Sequence, residues 1–188
     1  MPQIAKKFGF TLVELLVALV ISSILIGATV STYTLFRKAV AEDQNRAALT
    51  QNGRVAFDRI SRELRQTSLV VTTLPSSPDD TSITEPGEIE FEDGHTNDLT
   101  YHRYYVDGSM LKLDTIEYYF ADDSGIRVPY NATRPNGDLP VRHVISTQDV
   151  AEDVASIAFY GTQPLEFQMT TTDGKQTFTI RTKLYERN

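Results

Sequence analysis

Lys6-Lys7-Phe8-Gly9-Phe10-Thr11-Leu12-Val13-Glu14-Leu15-Leu16 opens an apolar run that continues to Val30, with Glu14 as its single charge. As a helix, Phe10 to Val30 is roughly 31 Å long at about 1.5 Å per residue, close to one bilayer hydrocarbon core. The lysines on its N-terminal side favour a cytoplasmic N-terminus, so the chain that follows is expected outside the cytoplasm. A secretory signal also starts basic and turns apolar. Here, however, no Ala-x-Ala-type site follows the run, which passes through Ser31-Thr32-Tyr33 into a long helical pattern. The small residue suited to processing, Gly9, comes before the apolar segment.

Gly9-Phe10-Thr11-Leu12-Val13-Glu14, with Lys6-Lys7 ahead and the apolar span behind, resembles the class III signal of the type IV pilin superfamily. The resemblance implies that a prepilin peptidase cuts after Gly9 and methylates the new N-terminal Phe10. It implies an α+β fold, with a long N-terminal helix packed against an antiparallel β head. It also implies partners: other pilin or pseudopilin subunits, met through the N-terminal helix in membrane lipid.

Glu14 needs a physical reason. An ionised carboxylate at the centre of a membrane helix costs roughly 2.5–3.5 kcal/mol on insertion scales. Glu14 lies about one turn in from Phe10, and one reading is a tolerated side chain that snorkels to the interface. The other, implied by the resemblance, is that Glu14 pairs with the Phe10 ammonium of a neighbouring subunit. A buried charge left alone is far costlier than a paired one, which would turn the cost into a bias toward assembly.

With 188 residues, 40% of them apolar, the chain has room for one membrane helix and one modest head. The net charge is −7, and loss of residues 1–9 removes two lysines and no acid, leaving −9. Such an acidic chain is a poor nucleic-acid binder, because that binding relies on Lys and Arg at phosphates. The absence of cysteine excludes disulfides, thiolate metal sites and a Cys nucleophile.

Past Val30, Leu35, Ala39, Leu49, Ala56, Ile60 and Leu64 recur at mostly helical intervals. Arg59–Glu63, Glu42–Arg46 and Asp58–Arg62 stand at the supporting i,i+4 spacing. One helix from Phe10 to about Thr67 is expected, roughly 85–90 Å long, with no proline kink near Tyr33. Its second half would pack under a head or form a charged stalk; the broken heptad favours the head. Asn52 to Gln66 is similar to the helix end of J-type minor pseudopilins of type II secretion and W-type minor pilins. The ending Leu184-Tyr185-Glu186-Arg187-Asn188 resembles theirs too, with Glu186 where they have Pro.

Residues 75–87 read as a loop on their Pro, Ser, Asp and Gly content. Strands are expected at Ile89–Phe91, Leu99–Val106 and Met110–Leu113, with Ile116–Phe120 continuing or following the last. Turns are expected at Asp107-Gly108 and at Asp122 to Gly125. Residues 127–140 read as an irregular insertion, and Asp149–Ser156 as a short turn or helix before Ile157–Tyr160. The clearest hairpin joins Leu165–Met169 to Gln176–Leu184 through Asp173-Gly174, with Phe178 and Ile180 facing inward. The domain plan is thus a leader at 1–9, a transmembrane helix at 10–30, an amphipathic helix at 31–74 and a β head at 75–188.

No catalytic motif is present. His95, His102 and His143 are too scattered for a metal site, and the loop carboxylates match no EF-hand. No cofactor, metal or enzymatic activity is expected. The function that the resemblance implies is a minor pilin or pseudopilin, processed after Gly9, methylated at Phe10, assembled through Glu14 and seated in the inner membrane before entering a filament. The alternatives are a single-pass anchored extracytoplasmic binding protein that does not assemble, and a DNA-uptake receptor, which would need a basic surface.

Overall fold

The computed structural model describes residues 9–67, 69–80, 82–83, 87–94, 98–161 and 163–185. Lys6, Lys7, Phe8, His95 and the ending Glu186-Arg187-Asn188 lie outside them. The chain divides into two compact units, Met1–Asn45 and Arg46–Asn188. A single helix, α1 (Leu12–Leu64), runs from one into the other, and its helical bonding passes Ser31-Thr32-Tyr33 without a break. It starts two residues later and stops about three earlier than expected.

In the first unit the helix is exposed throughout its described length. Leu12 to Val30 supplies the apolar stretch long enough to cross a membrane. Several of its hydroxyls bond back to the helix: Ser23 Oγ donates to Val20 O at 2.8 Å, Thr29 Oγ1 to Leu25 O at 2.8 Å and Thr32 Oγ1 to Ala28 O at 3.0 Å. Such back-bonding removes free donors from a surface with no water to serve them. Leu35 and Ala39, expected on a buried stripe, are exposed here.

In the second unit the stripe is real. Leu49, Gly53, Ala56, Phe57, Ile60, Ser61 and Leu64 are buried, the i, i+4, i+7, i+11 pattern of one helix face. Gly53 has a packing reason to be glycine, since a Cβ there would stand 3.1 Å from Thr171 Cγ2. This face rests on two antiparallel sheets. Sheet A contains β1 (Glu88–Glu92), β2 (Tyr101–Asp107), β3 (Met110–Phe120), β4 (Asp123–Arg127) and β5 (Val141–Ala151). Sheet B is β6 (Val154–Tyr160), β7 (Leu165–Thr172) and β8 (Thr177–Leu184). One core joins Phe57, Ile60 and Leu64 to Ile89, Phe91 and Leu111 of sheet A and to Phe159, Phe167 and Met169 of sheet B. Phe167 stacks between Phe57 and Phe159, with centroids at 4.5 and 4.9 Å.

The architecture is the expected α+β, pilin-like one, and several local expectations are corrected. The β2–β3 loop is Gly108-Ser109, closed by the Asp107–Met110 pair, with only Gly108 at positive φ (65°). That places glycine first in the two-residue loop, as in type II′ turns, one residue later than expected. The next turn is Ala121-Asp122, and Asp123 to Gly125 belongs to β4. Ile116–Phe120 continues Met110–Leu113 in one strand, the first of the two expected arrangements. Asp149–Ser156 is neither helix nor isolated turn: it holds the end of β5, the turn at Glu152-Asp153 and the start of β6. Among the described residues from 65 to 74 none is helical, and Val70 bridges to Phe91 on the outer side of β1. Residues 128–140 are irregular, as expected.

Candidate functional site at the start of the helix

Gly9 and Phe10 precede α1, and Phe10 is 88% exposed. A Cβ on Gly9 would meet nothing within 4 Å, and its φ lies outside the left-handed range. The fold places no demand for glycine at this position.

Thr11 and Glu14 close the helix start on each other. Thr11 N–H donates to Glu14 Oε2 at 2.9 Å, and Thr11 Oγ1–H donates to the same oxygen at 3.0 Å. In return Glu14 N–H donates to Thr11 Oγ1 at 3.3 Å. This is a capping box, with Thr as N-cap and Glu three residues on, and it satisfies donors that every helix start leaves open. The carboxylate reaches back toward the helix start, where the helix dipole also favours negative charge. Both Thr11 donors fall on Oε2, and Oε1 accepts no hydrogen bond from the described residues. Glu14 therefore caps its own helix and retains an oxygen for a further partner. Thr11 was missed in the sequence, although Thr-x-x-Glu ahead of an apolar run is a recognisable signal.

The titratable groups of the second unit are held differently. Glu63, near the end of α1, accepts from Tyr104 OH at 2.8 Å and from Arg59 Nε at 3.2 Å, and lies 3.1 Å from His102 Nδ1. Burial pushes its carboxyl up, but the hydrogen bonds from His102, Tyr104 and Arg59 outweigh that and hold it at about 2. Burial first, and then the Glu63 charge, push the Tyr104 phenol well above its ordinary range. His102 also stands 3.9 Å from Asp93. The group fastens the helix end to β2, which is a structural task.

Several loop carboxylates are also engaged locally. Asp80 accepts from the backbone and side chain of Ser76 and of Ser82, shaping its own loop. Asp122 pairs with Arg134, and Asp138 with Asn136. His143 lies 3.1 Å from Glu117. Among the described residues no three His, Asp or Glu side chains converge on a metal-sized site.

The family described as the prokaryotic N-terminal methylation motif matches this chain over residues 4–30. No curated protein and no solved structure matches it. The match covers the segment that contains Gly9, Phe10, Thr11 and Glu14, and supports a prepilin-type, type IV pilin-like protein with a hydrophobic N-terminal helix.

Proposed function

We propose that the chain is a minor pilin or pseudopilin, a non-enzymatic structural subunit of a type IV pilus or a type II secretion pseudopilus. In this reading residues 1–9 are a leader that prepilin peptidase removes, and Phe10 becomes the methylated N-terminus. Residues 10–30 hold the subunit in the inner membrane with residues 31–74 and the head 75–188 outside the cytoplasm. Glu14 engages the Phe10 ammonium of a neighbouring subunit as the helices assemble. The residues Asn52–Gln66 resemble the helix end of the J and W types, which favours those subclasses.

One observation carries the reading. The motif match falls on the exposed apolar start of α1, whose only acid keeps one carboxylate oxygen free after capping its own helix. The open surroundings of Gly9 add support, because a glycine that the fold does not require is explained by a peptidase that does.

The test is mass spectrometry of the N-terminus from the native host. Wild type is expected to begin at Phe10 and to carry one added methyl group. Gly9→Val, which meets no steric obstacle in the fold, is expected to retain the leader. Uncleaved wild type, or a Gly9→Val protein beginning at Phe10, would favour the anchored, non-assembling alternative.

A further inference from the structure

Sheet A has a covered edge at β1 and two open ones, the five-residue β4 and the longer β5. On the β1 side, Val71 N–H donates to Glu90 O at 2.8 Å and Glu92 N–H donates to Leu69 O at 2.9 Å. On the other side, β5 pairs with β3 alone. Among the described residues no backbone hydrogen bond reaches its outer side. Nine consecutive residues, 141–149, are exposed, including Val141, Val144 and Ile145. An unpaired row of N–H and C=O groups is a template for another strand, and proteins blunt such edges with lysine, proline or short length. β5 is eleven residues long and contains neither lysine nor proline. The register shifts at Ile145 and Val150 bend it but give its outer groups no partner.

The order of charges along the strand indicates its partner. Arg142 and His143 lie near its start and Asp149 near its end. A parallel copy would set Arg142 against Arg142, whereas an antiparallel copy sets opposite charges together. We propose that β5 pairs antiparallel with β5 of a second copy of this chain. The register puts Val144 opposite Thr147, Arg142 opposite Asp149 and Val141 opposite Val150, each pair made twice about a two-fold axis.

The faces agree with this register. Arg142 Nε donates to Glu90 at 3.2 Å and Thr147 Oγ1 donates to Asp114 at 2.6 Å. Asp149 stands opposite Lys112 on β3, two residues from Asp114 and so on the same face. Directly opposed residues of an antiparallel pair share a face, so Arg142 and Asp149 of the two copies meet. Arginine has five N–H donors, so the bond to Glu90 leaves others for the new partner. Lys112, the cation opposite Asp149, is bonded to Asp107 at 2.9 Å, so the Asp149 carboxylate can still accept from a second copy.

The absence of cysteine makes the register directly testable in the full-length protein. Val144→Cys and Thr147→Cys chains carrying different tags are mixed in detergent and oxidised. A disulfide-linked dimer containing both tags is expected. Val144→Cys mixed with Asp149→Cys, which is off register, is expected to yield far less. In sedimentation of the cysteine-free protein, Asp149→Lys should weaken the dimer roughly tenfold, because two opposite-charge pairs become like-charge pairs. Far-UV circular dichroism checks that this exposed variant keeps its fold. A wild-type chain that sediments as a monomer at its highest soluble concentration would overturn the proposal. So would cross-linking that is equal in and out of register.

Discussion

Glu14 combines two roles that separate substitutions can distinguish. As N3 of a capping box it satisfies Thr11 N–H, and in the proposed assembly its charge meets the Phe10 ammonium of a neighbour. Glu14→Gln keeps the acceptor needed for the cap and loses the charge. Thr11→Ala keeps the charge and loses the cap hydroxyl, at about 0.5–2 kcal/mol of helix-start stability. Glu14→Val loses both, although it also removes the only acid from the apolar span and so eases insertion of the lone helix. If charge pairing drives assembly, the sheared-filament fraction should hold Thr11→Ala near wild type, Glu14→Gln well below it and Glu14→Val least. All three should appear normally in the membrane fraction with the leader removed. If capping alone matters, Glu14→Gln should match wild type and Thr11→Ala should fail. Gly53 sets a second residue-scale expectation. Alanine would gain about 1 kcal/mol of helix propensity and would crowd the Thr171 methyl at 3.1 Å. Leucine there cannot be accommodated and should cost about 1–3 kcal/mol in chemical unfolding.

At the scale of elements, the contrast between β7 and β8 decides which substitutions hurt most. Phe178 and Ile180 alternate on the core side of β8, as expected, but both are only half-buried. Each changed to alanine should therefore cost about 1–2 kcal/mol, below the usual 2–5 for a full core deletion. Phe167→Ala, which empties the slot between two stacked rings, should cost about 3–5 kcal/mol. Unfolding of the detergent-solubilised chain followed by far-UV circular dichroism checks the ranking, and equal losses at 167 and 178 would contradict it. The same contrast explains what could be read in advance. β7 alternates without interruption, and the helix face from Leu49 to Leu64 repeats at helical spacing, so both were legible. β5 was not, because the register shifts at Ile145 and Val150 break its period of two and exposure of both faces removes the hydrophobic signal. The β2–β3 turn was misplaced by one residue because Asp107-Gly108 and Gly108-Ser109 are both good turn pairs, and strand register chooses between them. At the helix start, Gly9, Phe10 and Glu14 stood out in the sequence. The reciprocal partner Thr11 did not, since an acid one turn into an apolar span signals a membrane cost more strongly than a cap.

At the scale of the whole molecule, the second unit has no cross-link, so packing and polar fastening must hold it. Reductant should leave its melting temperature unchanged, because there is no cysteine to reduce. Acid should not. Glu63 joins Arg59 on its own helix to His102 and Tyr104 on β2, and its carboxyl is held at about 2 in the folded chain. A free glutamate titrates near 4.3. The folded value is the lower one, so the stabilisation is fully present above about pH 4.5. It is lost as the pH falls from there toward 2, where the unfolded chain has taken up a proton that the folded chain resists. One pH unit of displacement corresponds to about 1.4 kcal/mol, and solvent screening of this partly exposed group reduces the total to on the order of 1–2 kcal/mol. Glu63→Gln removes this titration, although its amide can still accept from Tyr104. The variant should be less stable than wild type at pH 7, because Arg59 loses its charged partner. The gap should close as the pH is lowered through 4.5 toward 2. Urea unfolding at pH 7, 5, 4 and 3 measures it directly. A gap that stayed constant across that range would mean that Glu63 titrates alike in the folded and unfolded chains and that the helix end is fastened by packing alone.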